Sequence, residues 1–240
     1  VIMPAYKEEK TIVQDLRNLE GVLHRVRLPY EIICVVDGSP DKTLEKAQKI
    51  ASATIKVIGY PQNMGKGYAV RYGMAQAKGD YVAFIDSGME IDPNGISMLL
   101  EHMEWYNADI IVGSKRHPAS QVKYPLTRKI ISRVYQLFVW LFSGLNVTDT
   151  QVGLKLYRKK VLKTILPRLL VKRYAFDLEM LAVAHRLGFT RIYEAPVKLK
   201  FSFGALNHAA GFDHMLRALQ DTLAIIYRLK ILHYYDNINT

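Results

Sequence analysis

Three acids fall within seven residues after the apolar run YVAFI: Asp86, Glu90 and Asp92. Carboxylates that follow a buried strand are a frequent way to hold a divalent cation against phosphates. Asp also caps helices, and Asp92, directly before Pro93, suits that task best. Asp86 taken alone admits either reading. Gly65-Lys66-Gly67 invites a phosphate-loop reading, but the Walker pattern fails because Gly67, not Ser or Thr, follows the Lys. No GxGxxG follows the first apolar run either. What remains is a Gly-Lys-Gly turn at a helix start, which is an ordinary turn or one whose backbone N–H groups host an anion. In Asp37-Gly38-Ser39 an acid ends another apolar run. It can accept hydrogen bonds from ribose hydroxyls or a base N–H, or it can simply fold the turn.

These residues need elements to position them, and the first half of the chain supplies a regular set. Residues 31–36 (EIICVV), 55–58, 81–85 and 109–112 (DIIV) are short, β-branched and bounded by polar or turn residues, which predicts buried strands. Residues 11–26, 43–51, 67–77 and 93–106 between them read as helices; in the first, Ile12, Leu16, Leu19 and Leu23 recur at spacings of three to four. Strand–helix alternation predicts a mostly parallel sheet with ligands at the carboxyl ends of its strands. The second half is less regular. Residues 128–145 and 211–232 are amphipathic stretches, 150–157 and 191–197 read as strands, and 176–187 as a helix.

The 240 residues are half hydrophobic, which excludes disorder, and they suffice for one sizeable domain. One cysteine, Cys34, excludes a disulfide scaffold and a Cys-based zinc site and fits a reducing compartment. The net charge of +11 is uneven: residues 1–114 hold 12 Lys+Arg against 15 Asp+Glu, and residues 115–240 hold 21 against 7. A strongly basic second half predicts an anionic partner: nucleic acid, a membrane surface or a phosphorylated substrate. The longest charge-free apolar-rich run, 134–148, is shorter than the roughly 18–20 residues that span a bilayer. No signal peptide is visible, and the Val1-Ile2-Met3-Pro4 start reads as a cut inside a first strand, with the natural chain beginning a few residues earlier.

The motifs taken together are more specific than any one of them. PAYKE (4–8), VVDGSPDKT (35–43), NMGKGYAVRYGM (63–74), GDYVAFID (79–86) and TDTQVGLKLYRK (148–159) occur in register over about residues 1–200. This set resembles glycosyltransferase family 2, and within it the branch that builds polyprenyl-phosphate (dolichyl-phosphate) hexoses. The DTQ-x-G-x-K-x-Y-R stretch with a later Phe176-Asp177-x-Glu179 leans to the glucosyl over the mannosyl side. The resemblance implies an α/β GT-A fold, a mostly parallel central sheet flanked by helices, with amphipathic interfacial helices in the C-terminal half. It implies one catalytic domain over 1–240: a nucleotide-sugar and metal half (1–114), an acceptor half (115–210) and a juxtamembrane helix (211–232).

By the same resemblance Pro4, Tyr6, Glu8, Val35 and Asp37 line the nucleoside pocket, and Lys66 joins the nucleotide-sugar set. Asp86, Ser87 and Gly88 lie beside the pyrophosphate and metal. Arg116 sits near the phosphates and Asp149 near the transfer centre. Two departures stand out. Val36 replaces the first of two adjacent acids, and Gly88 replaces the second carboxylate of an Asp-x-Asp metal motif. Glu90, two positions on, is placed to restore that charge, so Asp86 and Glu90 are the expected ligands for Mg²⁺ or Mn²⁺. A metal-independent or impaired homologue is the competing expectation.

The implied reaction is inverting transfer of a hexose from a UDP- or GDP-sugar to a polyprenyl phosphate at the cytoplasmic face of a membrane. A phosphate acceptor needs cationic grip more than a base, and Arg116, Arg128 and Lys200 are the expected groups, with Lys123, Lys129, Arg133 and Lys198 nearby in sequence. A family 2 enzyme with a hydroxyl acceptor would need a base, for which Asp149 is the candidate. A nucleic-acid partner is not expected, because no zinc, RNP-type, KH or homeodomain signature is present. The stretches 128–145 and 211–232 fit either a membrane interface or packing on the sheet.

Overall fold

In a computed structural model of the chain, the apolar runs form strands of a single sheet. The structure describes residues 1–120, 136, 139–141, 144–173, 175–199 and 212–236, with side chains of the last stretch from 217. The strands are β1 (Ile2–Ala5), β2 (Ile32–Asp37), β3 (Ile55–Tyr60), β4 (Tyr81–Ile85), β5 (Ile110–Ser114), β6 (Leu154–Arg158) and β7 (Ile192–Pro196). Among the described residues they make one seven-stranded sheet in the order β3-β2-β1-β4-β6-β5-β7. Neighbours β1, β2, β3 and β4 run parallel, as do β5 and β7. Only β6 is antiparallel to its neighbours, β4 and β5. The expected mostly parallel sheet is therefore present, with one strand reversed at its centre.

The helices are α1 (Ile12–Val26), α2 (Thr43–Gln48), α3 (Lys66–Gln76), α4 (Gly95–Trp105), α5 (Lys159–Ile165), α6 (Phe176–Arg186) and α7 (Phe212–Lys230). In α1 the apolar spacing works as expected: Ile12, Leu16, Leu19 and Leu23 are buried on one face. Helix α3 packs on β1 and β2, α4 on β5, β6 and β7, and α6 against α5 and α7. Asp92 serves the start of α4, as expected. Its Oδ1 accepts the Asn94 N–H at 3.0 Å and its carbonyl accepts the Gly95 N–H. Cys34 is fully buried in β2, and burial pushes its thiol up to about 12, which removes it as a nucleophile at neutral pH.

Two elements differ from the sequence reading. The stretch 159–165 (KKVLKTI) forms α5, where its three lysines had masked a helical face of Val161, Leu162 and Ile165. Residues 150–157 alternate like a strand throughout, but the strand begins only at Leu154. The preceding turn is held by Lys155, whose fully buried Nζ donates to the Val152 carbonyl at 2.7 Å. The same Nζ lies 2.5 Å from Oδ1 of Asp177, near the start of α6.

That pair sets the energetics of the centre. Desolvation lowers the Lys155 ammonium and raises the Asp177 carboxyl, and their mutual attraction opposes both shifts. Removing one partner leaves a buried charge uncompensated, which costs about 3–5 kcal/mol. The Asp177→Leu variant is expected to lose about that much in urea unfolding, and the K155M/D177L double variant to recover most of it. A D177L protein with wild-type stability would contradict this account.

Candidate functional site

Strand direction brings the candidate residues together. The carboxyl ends of parallel β1, β2, β3 and β4 carry Tyr6 to Glu8, Asp37, the 61–65 turn and Asp86 on one edge of the sheet. Because β6 is reversed, its beginning lies on that same edge: Ile85 pairs with Leu154, and the Asp86 N–H donates to the Gly153 carbonyl at 3.1 Å. Strand β5 runs antiparallel to β6, so Ser114, Lys115 and Arg116 emerge there too.

Asp86 is the focus. Lys66 Nζ donates to its Oδ2 at 2.8 Å and stands 2.7 Å from its Oδ1. Oδ1 is buried and accepts no hydrogen bond. The carboxylate rests on Gly153: a Cβ built there would lie 2.5 Å from Asp86 Cγ and closer still to Oδ2. The turn expected of Gly65-Lys66-Gly67 is thus given a different task. Gly65 has φ +96°, and Cβ atoms at Gly65 and Gly67 would meet the Lys172 carbonyl at 2.6 Å and Phe176 Cβ at 2.5 Å. The two glycines press the start of α3 onto the 172–176 segment and aim Lys66 at Asp86. Burial pushes its ammonium down, but the charges of Asp86 and then Asp177 outweigh that and hold it above its ordinary value.

The 86–88 turn is tied to the first strand end. Ser87 Oγ donates to Glu8 Oε1 at 3.2 Å, and Thr11 Oγ1 donates to Glu8 Oε2 at 2.9 Å. The Gly88 N–H donates to Oδ2 of the buried Asp15 at 3.0 Å. Gly88 has φ +77°, and a Cβ placed on it would lie 3.9 Å from Glu8 Oε1. Glu8 therefore stands close to where the second acid of the expected motif would project. Glu90 is exposed and acts electrostatically on Lys66. Among the described residues no three Asp, Glu, His or Cys side chains converge as a ready-made cation site. A divalent cation fits here only in the manner of one or two carboxylates completed by substrate phosphates, and Asp86, whose buried Oδ1 meets Lys66 as an ion pair without a hydrogen bond, is the carboxylate that suits it.

Asp37 is nearly fully buried, and its carboxylate is occupied by the chain itself. Oδ1 accepts the Met64 N–H at 2.7 Å, and Oδ2 accepts the Gly65 N–H and Asn63 Nδ2, both at 3.0 Å. It shapes the loop leading to Lys66. Pro4 and Val35 are buried partners in paired strands, and Val35 packs against Gly73 of α3. Both serve the core under the pocket. Tyr6 is 41% exposed at the strand end, with Lys7 Nζ over its ring.

The second half contributes a compact polar knot. Oδ2 of Asp149 accepts the Lys115 N–H at 3.1 Å, which places Asp149 beside Arg116. The Arg116 guanidinium donates to Gln136. Glu194, on β7, accepts the N–H groups of Thr148 and Asp149 at 2.9 and 3.0 Å and so fixes that turn. Glu179 accepts the Leu170 and Val171 N–H groups and the Tyr235 hydroxyl. Asp177 pairs with Lys155, whereas Glu179 organises a loop. Arg128, Lys200, Lys123, Lys129 and Arg133 lie outside the described residues, as does most of 128–145.

Glu194, Lys155 and Asn63 were not singled out from the sequence. Each acts through a distant partner, and only the DTQ-x-G-x-K spacing hinted at Lys155. Gly153 sits in that same motif, and its task is now physical: it leaves room for Asp86. Gly153→Ala is expected to retain the far-UV circular dichroism of the wild type. Its calorimetric affinity for a nucleotide sugar with a divalent cation should fall by about tenfold or more, as Asp86 is displaced by an ångström or so. Wild-type affinity would show that the close approach is dispensable.

Comparison with known proteins agrees with this geometry. The chain is 32% identical over 203 residues to a dolichyl-phosphate beta-glucosyltransferase of Drosophila melanogaster, covering 78% of this chain and 62% of that protein. It is 30% identical over 240 residues to a dolichyl-phosphate beta-glucosyltransferase of Trichomonas vaginalis, covering 95% and 73%. The chain thus spans about three fifths of the length of the fly relative. Among solved structures, mannosyl-3-phosphoglycerate synthase of Rubrobacter xylanophilus superposes with a TM-score of 0.71 at 17% identity, covering 95% of this chain and 73% of that one. Glucosyl-3-phosphoglycerate synthase of Mycobacterium tuberculosis, solved with Mn²⁺, UDP-glucose and phosphoglyceric acid, gives 0.67 at 17% identity, covering 100% and 80%. These two likenesses show the fold, a GT-A arrangement. The model of Glycosyl transferase family 2 matches residues 1–166, and the chain belongs to that family.

Proposed function

We propose that this chain catalyses inverting transfer of glucose from a nucleotide sugar to a polyprenyl phosphate of the dolichyl type. The observation that carries the reading is the placement of Asp86, Arg116 and Asp149 on one edge of the sheet. The names of the relatives support glucose as the sugar and a lipid phosphate, in preference to a hydroxyl, as acceptor.

The chemistry follows from charge. The acceptor phosphate has a second pKa of about 6, so it is largely ionised at neutral pH and needs no strong base. Arg116 would grip that phosphate and align its oxygen for in-line attack on the anomeric carbon. Asp149, held by Lys115 and by the Glu194-fixed turn, would orient the sugar hydroxyls. Asp86 would hold a divalent cation, Mg²⁺ or Mn²⁺, with Glu90 and the neighbouring Glu8 adding negative charge. When bound, the cation would neutralise the departing nucleoside diphosphate. UDP is the nucleotide favoured by the UDP-glucose complex of the structural relative. The expected product is lipid-linked glucose, which appears as organic-phase label after incubation with radiolabelled UDP-glucose, polyprenyl phosphate and Mg²⁺. No lipid-linked product from a panel of nucleotide sugars would overturn the reading.

A lipid acceptor also calls for a membrane surface, on its cytoplasmic side. Among the described residues no helix is long and apolar enough to cross a membrane. Helix α7 offers a different mode of contact. Thr222, Ile225 and Leu229 are buried, while Leu219, Leu223, Tyr227 and Ile231 form an exposed stripe at spacings of four, flanked by exposed Arg217 and Lys230. An apolar face bordered by cations suits the interface of an anionic bilayer. The L223E/Y227E variant should co-sediment with phosphatidylserine–phosphatidylcholine vesicles several-fold less than wild type. Equal vesicle binding would remove α7 from the contact.

A further inference from the structure

Lys66 is too well placed to be one more phosphate ligand. Its ammonium straddles both oxygens of Asp86, at 2.7 and 2.8 Å, which is where a cation would have to sit. Its side chain is 38% exposed, but its backbone is held in place. The close approaches at Gly65 and Gly67 pin the start of α3 against 172–176, and Nζ lies over the rings of Phe84 and Phe176, at 5.8 and 5.7 Å. A second anion, Asp177, is within electrostatic reach of Lys66, but it is already paired with Lys155. The ammonium is therefore seated on one carboxylate and steadied by two ring faces.

We infer that Lys66 is the resident counter-cation of Asp86: it holds the carboxylate before the divalent cation arrives and withdraws from it when the cation takes its place. The inference rests on the proposed use of a divalent cation. It explains how a carboxylate with a vacant neighbour at Gly88 stays oriented in the free protein. Two positive charges competing for one carboxylate repel each other at short range. The free protein should consequently bind the metal weakly, and the negative charge of the donor diphosphate should be needed to accommodate both cations. Lys66 is on this account a positioning residue that sets metal affinity, and its effect is opposite in sign to that of a metal ligand.

The test is Mn²⁺ binding to the nucleotide-free protein, followed by electron paramagnetic resonance. Lys66→Met and Lys66→Gln are expected to lower the Kd for Mn²⁺ by about tenfold or more, because the competing charge is gone. Lys66→Arg, which keeps the charge, should stay near wild type. An unchanged or higher Kd in the neutral variants overturns the inference while leaving metal use intact. Absence of Mn²⁺ binding in every variant, with or without UDP, overturns metal use and the inference together. A crystal structure of the wild-type protein with Mn²⁺ and UDP gives a check that needs no variant. Lys66 Nζ should stand beyond hydrogen-bond distance of Asp86, and an ammonium still seated on both oxygens overturns the exchange.

Discussion

Charge can be taken out of water only in company, and the centre of this molecule is built on that constraint. Lys155 and Asp177 are both shut away from solvent, 2.5 Å apart. Neither would be tolerated there alone. Their pairing has a direction: Lys155 also grips the Val152 carbonyl, so the turn before β6 cannot drift, and Gly153 and Asp149 are held with it. Asp177 in turn lies within electrostatic reach of Lys66 and Asp86. Positive and negative groups alternate from the buried interior to the sheet edge, and each is placed by the one behind it.

The same logic separates the two sides of the site. Among the first-half residues the acids are individually committed. Asp37 is occupied by the 63–65 loop, Asp15 by the Gly88 N–H, and Glu8 by Ser87 and Thr11. Asp86 alone among these keeps a buried oxygen without a hydrogen bond. In the second half Glu194 does for the 148–149 turn what Asp37 does for the 63–65 loop, presenting carboxylate oxygens to backbone N–H groups. A carboxylate that accepts several N–H groups is a rigid anchor. In both cases the anchor carries its neighbours, Lys66 in one and Asp149 in the other, to the same sheet edge.

Much of this was legible in the residues, and the parts that were not have a common cause. Short β-branched runs marked β2, β3 and β4, because strand burial depends on local composition. The end-of-strand acids marked the edge. The reversal of β6 was invisible, since alternation looks the same in either direction. Helix α5 was hidden by lysines that point outward while Val161, Leu162 and Ile165 point in. Gly65-Lys66-Gly67 reads as an ordinary turn or an anion host, and the ion pair of Lys66 with Asp86 is visible in neither. That partner comes from a strand twenty residues on, and pairings of that kind are set by topology. Asp37 reads equally as a ribose contact or a turn former, and in the structure its carboxylate holds the 63–65 loop.

The reversed strand has a consequence for how the polypeptide must come together. By charge and by sequence β5 belongs to the acidic first half, yet its neighbours in the sheet are β6 and β7, both from the basic second half. Without β6, β4 would present a bare row of amides and carbonyls, and β5 would have no sheet to join. The first half therefore cannot complete itself as the chain emerges. It must wait, with an unpaired edge, for a strand forty residues further along, so that final closure depends on contacts distant in sequence. The ligand edge comes into being at that same moment, because the strand that closes the sheet is also the one that carries Gly153 to Asp86.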